Sequence, residues 1–353
     1  MRLPCVCSRA FVGDFQVLAS TVLFSLSYVG CRRATGEVAG PFAFNALRFL
    51  ASTLLLVGLR GPLQRHLNST PPSTGGERVE LLIRLKGCFP PSLSETTFNL
   101  FLFGGLGGLS NFLMSTFAQF GFETVSAGKG AFIIGLYVIV TPFAEMLLPG
   151  AKTALTSLTW VSVALSGLGT YLLSGTTSTA IHGGEMLMFL AMLGNVGSIL
   201  ASDAGAKRVD CVDLTCIDFA LTTLLSTIAS LLLETNHPLR TISHGYRMIL
   251  LVAVVGALAF LLCTLGQMTT TPTRAAIILS LEAVFTVMLG YYWLGEHLNT
   301  VELVGCGLMF AATVISTSCE LSTSDASDAL DEGVESEQPI TQTVAKIDYG
   351  SIP

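Results

Sequence analysis

One arginine lies inside an apolar stretch of the sequence, where a charge is costly. Arg48 comes seven residues after Pro41, about 10 Å along a helix that begins there. In lipid, a guanidinium group at that depth costs at least ~2.5 kcal/mol, so it must face a partner or a wet cavity. It either clamps a carboxylate or phosphate of a ligand, or serves as a structural ion pair or interfacial cation. Asn45, one helical turn earlier, could hydrogen-bond the same ligand.

A carboxylic acid and two further cations lie in or near later apolar stretches. An apolar environment favours the neutral form of an acid. Glu282 is therefore either a proton carrier for coupling or a packing group that forms hydrogen bonds between helices. Arg274 precedes it by about 12 Å, which on a continuous helix places both side chains on one face. Lys129 and Arg274 could gate the two mouths of a cavity for anionic ligands, or anchor helix ends at the interface.

Two other polar residues, Asn195 and Asp218, stand out in their apolar stretches, and either could line a pore. The sequence contains no Ser/His/Asp arrangement, no HExxH motif, no phosphate-binding loop and no cysteine spacing typical of a metal site. We therefore predict that the protein is not an enzyme and that it has no metal and no cofactor.

These polar residues belong to a strongly apolar chain. Of its 353 residues, 51% are hydrophobic and only 12% are charged, and the mean hydropathy is +0.67. A soluble domain carries about 25% charged residues. The composition argues against a soluble enzyme, a nucleic-acid-binding protein and a disordered scaffold, so we predict an integral membrane protein with the lipid bilayer, and no nucleic acid, as a partner.

Ten apolar runs are long enough to cross a bilayer as helices, which takes about 20 residues. They are continuously apolar, unlike the alternating strands of a membrane barrel, so the predicted fold is an all-α membrane protein with ten transmembrane helices. The predicted spans are 12–31, 41–59, 97–119, 126–148, 157–175, 185–205, 214–233, 249–268, 274–294 and 300–319.

An even number of spans places both termini on one side of the membrane. Eleven Lys and Arg residues lie in segments on that side and four on the other, and basic residues in short loops stay in the cytoplasm. We therefore predict a cytoplasmic N-terminus (1–11) and an acidic, disordered cytoplasmic tail (320–353). Tyr349 and Ile352 fit a Tyr-x-x-bulky sorting signal for an adaptor, although so short a pattern often arises by chance. Plasma membrane and endomembrane are both left open.

A gap-free offset of 145 residues relates two parts of the chain. It predicts two halves of five spans, 12–175 and 185–319. An odd number of spans per half makes the second enter the membrane from the opposite side, as in inverted-repeat transporters. The matched pairs are Gly121 and Gly266, Thr124 and Thr269, Lys129 and Arg274, Ala131 and Ala276, Ile133 and Ile278, Leu136 and Leu281, and Gly150 and Gly295.

Three stretches follow one another along the chain: Pro41 to Phe49, Thr124 to Phe132 with Gly135-Leu136-Tyr137 and Pro142, and Leu281 to Phe285 followed by Leu294-Gly295-Glu296. Together they resemble the EamA-type drug/metabolite transporters, and the resemblance covers about residues 12–319. The chain departs from the family at three places. Phe24-Ser25 stands where the family usually has Trp-Gly in span one, Arg32 where it has a lysine, and Ala283 where it has the proline of a common Leu-Glu-Pro motif.

The resemblance implies a transporter that moves a small polar metabolite, such as an amino acid, amine or organic anion, by alternating access. A homodimer is left open. An alternative is a nucleotide-sugar or phosphorylated-sugar exchanger of the same superfamily, but such carriers usually have paired lysines in later spans, and none lies between Lys207 and Lys346. Membrane enzymes and non-transporting sensors or scaffolds are alternatives of other classes. The candidate substrate-binding residues are Asn45, Arg48, Tyr137, Asn195 and Asp218.

Overall fold

The computed structural model describes residues 5–34, 40–67, 94–125, 127–147, 157–173, 183–234, 238–294, 300–301 and 303–315. Within these ranges every regular element is a helix, as predicted. The helices are α1 (Cys5–Ala34), α2 (Pro41–Leu67), α3 (Glu95–Gly121), α4 (Ala127–Gly135), α5 (Tyr137–Leu147), α6 (Ser157–Leu173), α7 (Gly183–Ala206), α8 (Cys211–Leu233), α9 (Pro238–Gln267), α10 (Pro272–Leu279), α11 (Leu281–Leu294) and α12 (Leu303–Ile315).

Seven helical segments in the described ranges are long and apolar enough to cross a membrane. The other three predicted spans coincide with shorter apolar helices, Ile133–Leu147, Ser157–Gly169 and Leu303–Ile315. The prediction of a multi-pass helical membrane protein is therefore confirmed, whereas the count of ten spans stays a prediction. The seven segments are Phe11–Ala34, Pro41–Pro62, Glu95–Gly121, Gly183–Ala206, Cys211–Leu233, Gly245–Gln267 and Pro272–Trp293.

The fourth and ninth predicted spans are each interrupted. The fourth consists of α4 and α5, which meet at Leu136, and the ninth consists of α10 and α11, which meet at Ser280. The Ser280 hydroxyl donates to the Ile277 carbonyl (2.6 Å) and lies 2.7 Å from the Ser166 hydroxyl of α6. Such side-chain bonds compete with the helical ladder.

The interruption at Ser280 separates the two ionisable residues of the ninth predicted span. Arg274 lies in α10 and Glu282 in α11. Their placement on a common helical face assumed an unbroken span and stays a prediction.

The 145-residue repeat appears in the structure as two matching turns. After α3, the Thr124 amide donates to the Gly121 carbonyl (3.1 Å), and after α9 the Thr269 amide donates to the Gly266 carbonyl (3.2 Å). Each turn packs against the first helix of the other half. A side chain at Gly184 in α7 would overlap the Thr124 hydroxyl, and one at Gly13 in α1 would overlap that of Thr269. The two halves thus make reciprocal contacts.

The same reciprocity extends one turn deeper. A Cβ atom on Gly121 would lie 2.9 Å from the Met188 side chain of α7, and one on Gly266 would lie 2.5 Å from that of Val17 in α1. Val17 and Met188 are both fully buried in the central apolar cluster. Helices α3 and α9 therefore each pack closely on the first helix of the opposite half, and glycine permits that approach.

A carboxylate fixes the start of the helix that carries Arg48. Glu234, which follows α8, accepts hydrogen bonds from the backbone amides of Phe42 (2.7 Å) and Ala43 (2.9 Å). These amides have no partner within α2, and the negative charge complements the helix dipole. The contact sets the position of α2, and with it Arg48 two turns farther on.

Candidate functional site

Two adjoining cavities lie where the halves meet. The first lies between α1, α2, α3 and α9 and has about 560 Å³ of empty space, open solvent included. The second lies between α1, α3, α5, α7, α9, α10 and α11 and has about 450 Å³, counted in the same way. Four residues line both cavities: Phe24, Tyr28, Met114 and Phe260. The Phe24 and Phe260 rings meet edge to face, with their centroids 5.2 Å apart. A mainly aromatic wall therefore separates the two cavities.

Arg48 is the one charged residue that lines the first cavity in the described part of the chain. Its Nη1 donates to the Cys31 thiol (2.9 Å), and its guanidinium carbon lies 4.5 Å from the centre of the Phe49 ring. Its Nε has no hydrogen-bond partner among the residues described. Thiol and aromatic contacts do not neutralise the charge, so the site remains suited to an anionic group.

Glu282 is the corresponding residue of the second cavity, and its side chain is the one carboxyl group among the described lining residues. Its Oε1 is buried without a hydrogen-bond partner in the described ranges, and so are the Tyr137 hydroxyl and the Gln267 Oε1. Asn195 also lines this cavity. The structure thus brings three predicted residues, Tyr137, Asn195 and Glu282, to one space.

Asn45 and Asp218 lie outside the described linings of both cavities. Asn45 is fully buried in α2, and neither atom of its amide group has a hydrogen-bond partner among the residues described. Asp218 in α8 accepts from the Asn111 amide (2.9 Å) and lies 3.4 Å from the Thr222 hydroxyl. Because Asn111 lines the first cavity, Asp218 orients a cavity residue and does not face the cavity itself.

Arg274 forms an ion pair with Asp14 that connects α10 to α1. Their side chains are 3% and 12% exposed, and the Thr270 hydroxyl donates to Asp14 at 3.2 Å. This arrangement differs from a lone cation at a cavity mouth. The matched residue Lys129 lies in α4, but its side chain is outside the described residues, as are Tyr349 and Ile352.

Sequence reasoning missed Asp14, Gln267 and Tyr28. For Asp14 a signal existed, because the pair Gly13-Asp14 near the start of the first half matches Gly184-Glu185 at the start of the second. For Gln267 and Tyr28 we find none, because their importance depends on which helices pack around them.

Comparison with known proteins identifies a family and a shared fold. A search of curated proteins finds no match. One solved structure, described as a crystal structure of a protein, aligns with a TM-score of 0.62 over 88% of this chain and 97% of its own, with 16% identity, which shows a shared fold alone. The model of the EamA-like transporter family matches twice, at residues 11–175 and 182–318. The two matches cover most of the chain, and the protein therefore belongs to the EamA-like transporter family.

Proposed function

We propose that this protein is a secondary transporter that moves a small polar metabolite, such as an amino acid, amine or organic anion, by alternating access. Its family is one of multi-pass membrane transporters. The observation that carries the proposal is the pair of adjoining cavities at the meeting of the two repeats, with Arg48 in the described lining of the first and Glu282 in that of the second. Ligand sites of such transporters lie at repeat interfaces.

The proposed architecture has ten transmembrane helices in two inverted repeats, 12–175 and 185–319. The reciprocal packing of α3 and α9 on the first helix of the opposite half supports it, and so do three shorter apolar helices at the remaining predicted spans. The cytoplasmic location of both termini, the disordered tail 320–353, its sorting signal and a homodimer stay predictions from the sequence.

In this proposal Arg48 binds an acidic group of the substrate. Its guanidinium group lines the first cavity, and no carboxylate among the described residues pairs with it. A planar group with several N–H donors fits a carboxylate in bidentate geometry. Coupling through a proton on Glu282 stays a prediction.

The ion pair between Asp14 and Arg274 is the proposed gate on one side. It joins the first helix of one half to the interrupted span of the other, at the level of the turn that contains Thr269 and Thr270. The 145-residue repeat makes Lys129 the counterpart of Arg274. A role of Lys129 at the second mouth stays a prediction.

Uptake into liposomes that contain the purified protein tests this function. Labelled amino acids, amines, organic anions and nucleotide sugars are offered separately, to the full-length protein and to a variant that lacks 320–353. We expect saturable uptake of at least one of the first three classes, unchanged by the deletion. Uptake of nucleotide sugars alone would favour the exchanger, and a folded protein without any uptake would favour a sensor or scaffold.

A further inference from the structure

We infer that the second cavity binds a protonated amine of the substrate, and that Gln267 determines this selectivity together with Glu282 and Tyr137. The inference rests on the proposed transport function and narrows its substrate class to molecules that carry an ammonium group.

Three unpartnered polar atoms, from three different helices, support this inference. They are the Tyr137 hydroxyl of α5, Oε1 of Gln267 in α9 and Oε1 of Glu282 in α11. These residues are 1%, 0% and 9% exposed, and all three line the second cavity. A buried polar atom without a partner lowers stability. Three of them around one cavity indicate that a ligand supplies the missing hydrogen bonds.

The orientation of Gln267 is fixed by its surroundings. Its Nε2 donates to the Ile199 carbonyl of α7 at 3.3 Å, and a carbonyl can only accept. The nitrogen therefore points to Ile199 and leaves Oε1 as the unpartnered acceptor. The missing partner of Gln267 must be a hydrogen-bond donor.

The three atoms together match an ammonium group. The amide oxygen of Gln267 and an ionised Glu282 accept hydrogen bonds, and the Tyr137 hydroxyl can do so as well. An ammonium group has three donors and a positive charge. A neutral sugar hydroxyl supplies one donor for the three unpartnered atoms, so the ammonium group is the better match.

The wall between the cavities completes the arrangement. Phe24, Tyr28 and Phe260 supply aromatic surface to both cavities, and the faces of aromatic rings attract cations. Beyond this wall lies Arg48, which suits an anionic group. A substrate with an amine, an apolar body and an acidic group would therefore place opposite charges against Glu282 and Arg48.

Three probes with one carbon skeleton test the inference: leucine, isopentylamine, which lacks the carboxylate, and 4-methylpentanoate, which lacks the amine. Their affinities for the purified full-length protein are measured by competition against the best transported substrate. We expect Gln267→Leu to weaken isopentylamine about ten-fold relative to 4-methylpentanoate, and Glu282→Gln to weaken it further.

Asn99 provides a control away from both cavities. It is a buried side-chain amide in α3 and lines neither cavity. We expect Asn99→Leu to leave the ratio of amine to acid affinity unchanged. If Gln267→Leu or Glu282→Gln fails to fold, the other variant still gives the ratio. Gln267→Leu removes an acceptor, and Glu282→Gln replaces one carboxyl oxygen by an NH₂ donor.

Two results would overturn the inference. An unchanged affinity ratio in the folded Gln267 and Glu282 variants would exclude their role in amine binding. A wild-type protein that transports organic anions but binds no amine would also overturn it, while leaving the transport function intact. Failure of the transport function itself would appear differently, as absence of uptake for every class of probe.

Discussion

Replacing Arg48 with lysine should reduce transport at least ten-fold while the folded protein persists. Lysine keeps the positive charge but loses the planar arrangement of donors that binds a carboxylate in bidentate geometry. Hydrogen bonds to charged groups contribute about 1.5–3 kcal/mol, which corresponds to a factor of about 10–100 in affinity. Arg48→Ala should lose at least as much. The measurement is the initial rate of uptake into liposomes, normalised to folded protein.

Arg60 on the same helix provides the control for Arg48. It pairs with Asp213 at 2.7 Å, its side chain is 53% exposed, and it lines neither cavity. Arg60→Lys should therefore retain normal uptake. Normal uptake by Arg48→Lys would show that the guanidinium group of Arg48 is not needed for substrate binding. Loss of folded protein in both the lysine and alanine variants of Arg48 would show a structural role in place of ligand binding.

Removing the charge of Asp14 should open one mouth of the transporter. Asp14→Asn deletes the ion pair with Arg274, whose side chain is 3% exposed. Breaking a buried pair costs about 3–5 kcal/mol, because one charge stays buried without its counterion. The closed contact between α1 and α10 should weaken accordingly. Cys263, which lines the second cavity, reports on this change through its labelling rate with a membrane-impermeant thiol reagent, measured with the other cysteines replaced.

The exposed pair Arg60–Asp213 provides the matched control for this experiment as well. Asp213→Asn removes one carboxylate from a partly exposed pair, which contributes only about 0–1 kcal/mol. We expect no change in Cys263 labelling in that variant, against a several-fold rise in Asp14→Asn. Lower thermal stability of Asp14→Asn with unchanged labelling would show that the pair holds the fold together without acting as a gate.

The sequence predicts the helices well because the hydropathy and the length of each apolar run determine them. Helix α2 begins at Pro41, where the predicted span begins, since proline is favoured in the first turn of a helix. The interruptions at Leu136 and Ser280 were not predicted. The one at Ser280 involves a hydroxyl of another helix, Ser166, and such a contact leaves no local pattern in an apolar run.

The candidate site shows the same division between local and distant signals. Arg48 and Glu282 were identified because ionisable residues are rare and costly in apolar stretches. Gln267 was missed because a glutamine near a helix end is ordinary. Its role emerges only when the Ile199 carbonyl of α7 fixes its amide. Asp14 was missed although Gly184-Glu185 repeats the pair Gly13-Asp14, because its partner Arg274 is far away in the chain.

The central claim is that the cavity residues are exposed to the two sides of the membrane alternately. Counterflow tests this claim most directly. Liposomes containing the purified protein are loaded with an excess of unlabelled substrate, and uptake of a trace of labelled substrate is followed without any ion gradient. Alternating access predicts a transient several-fold accumulation of label above its external concentration. Each unlabelled substrate that leaves the liposome brings the binding site to the outer side, where labelled substrate binds and is carried in. Equilibration without such an overshoot in a folded, substrate-binding protein would contradict the account.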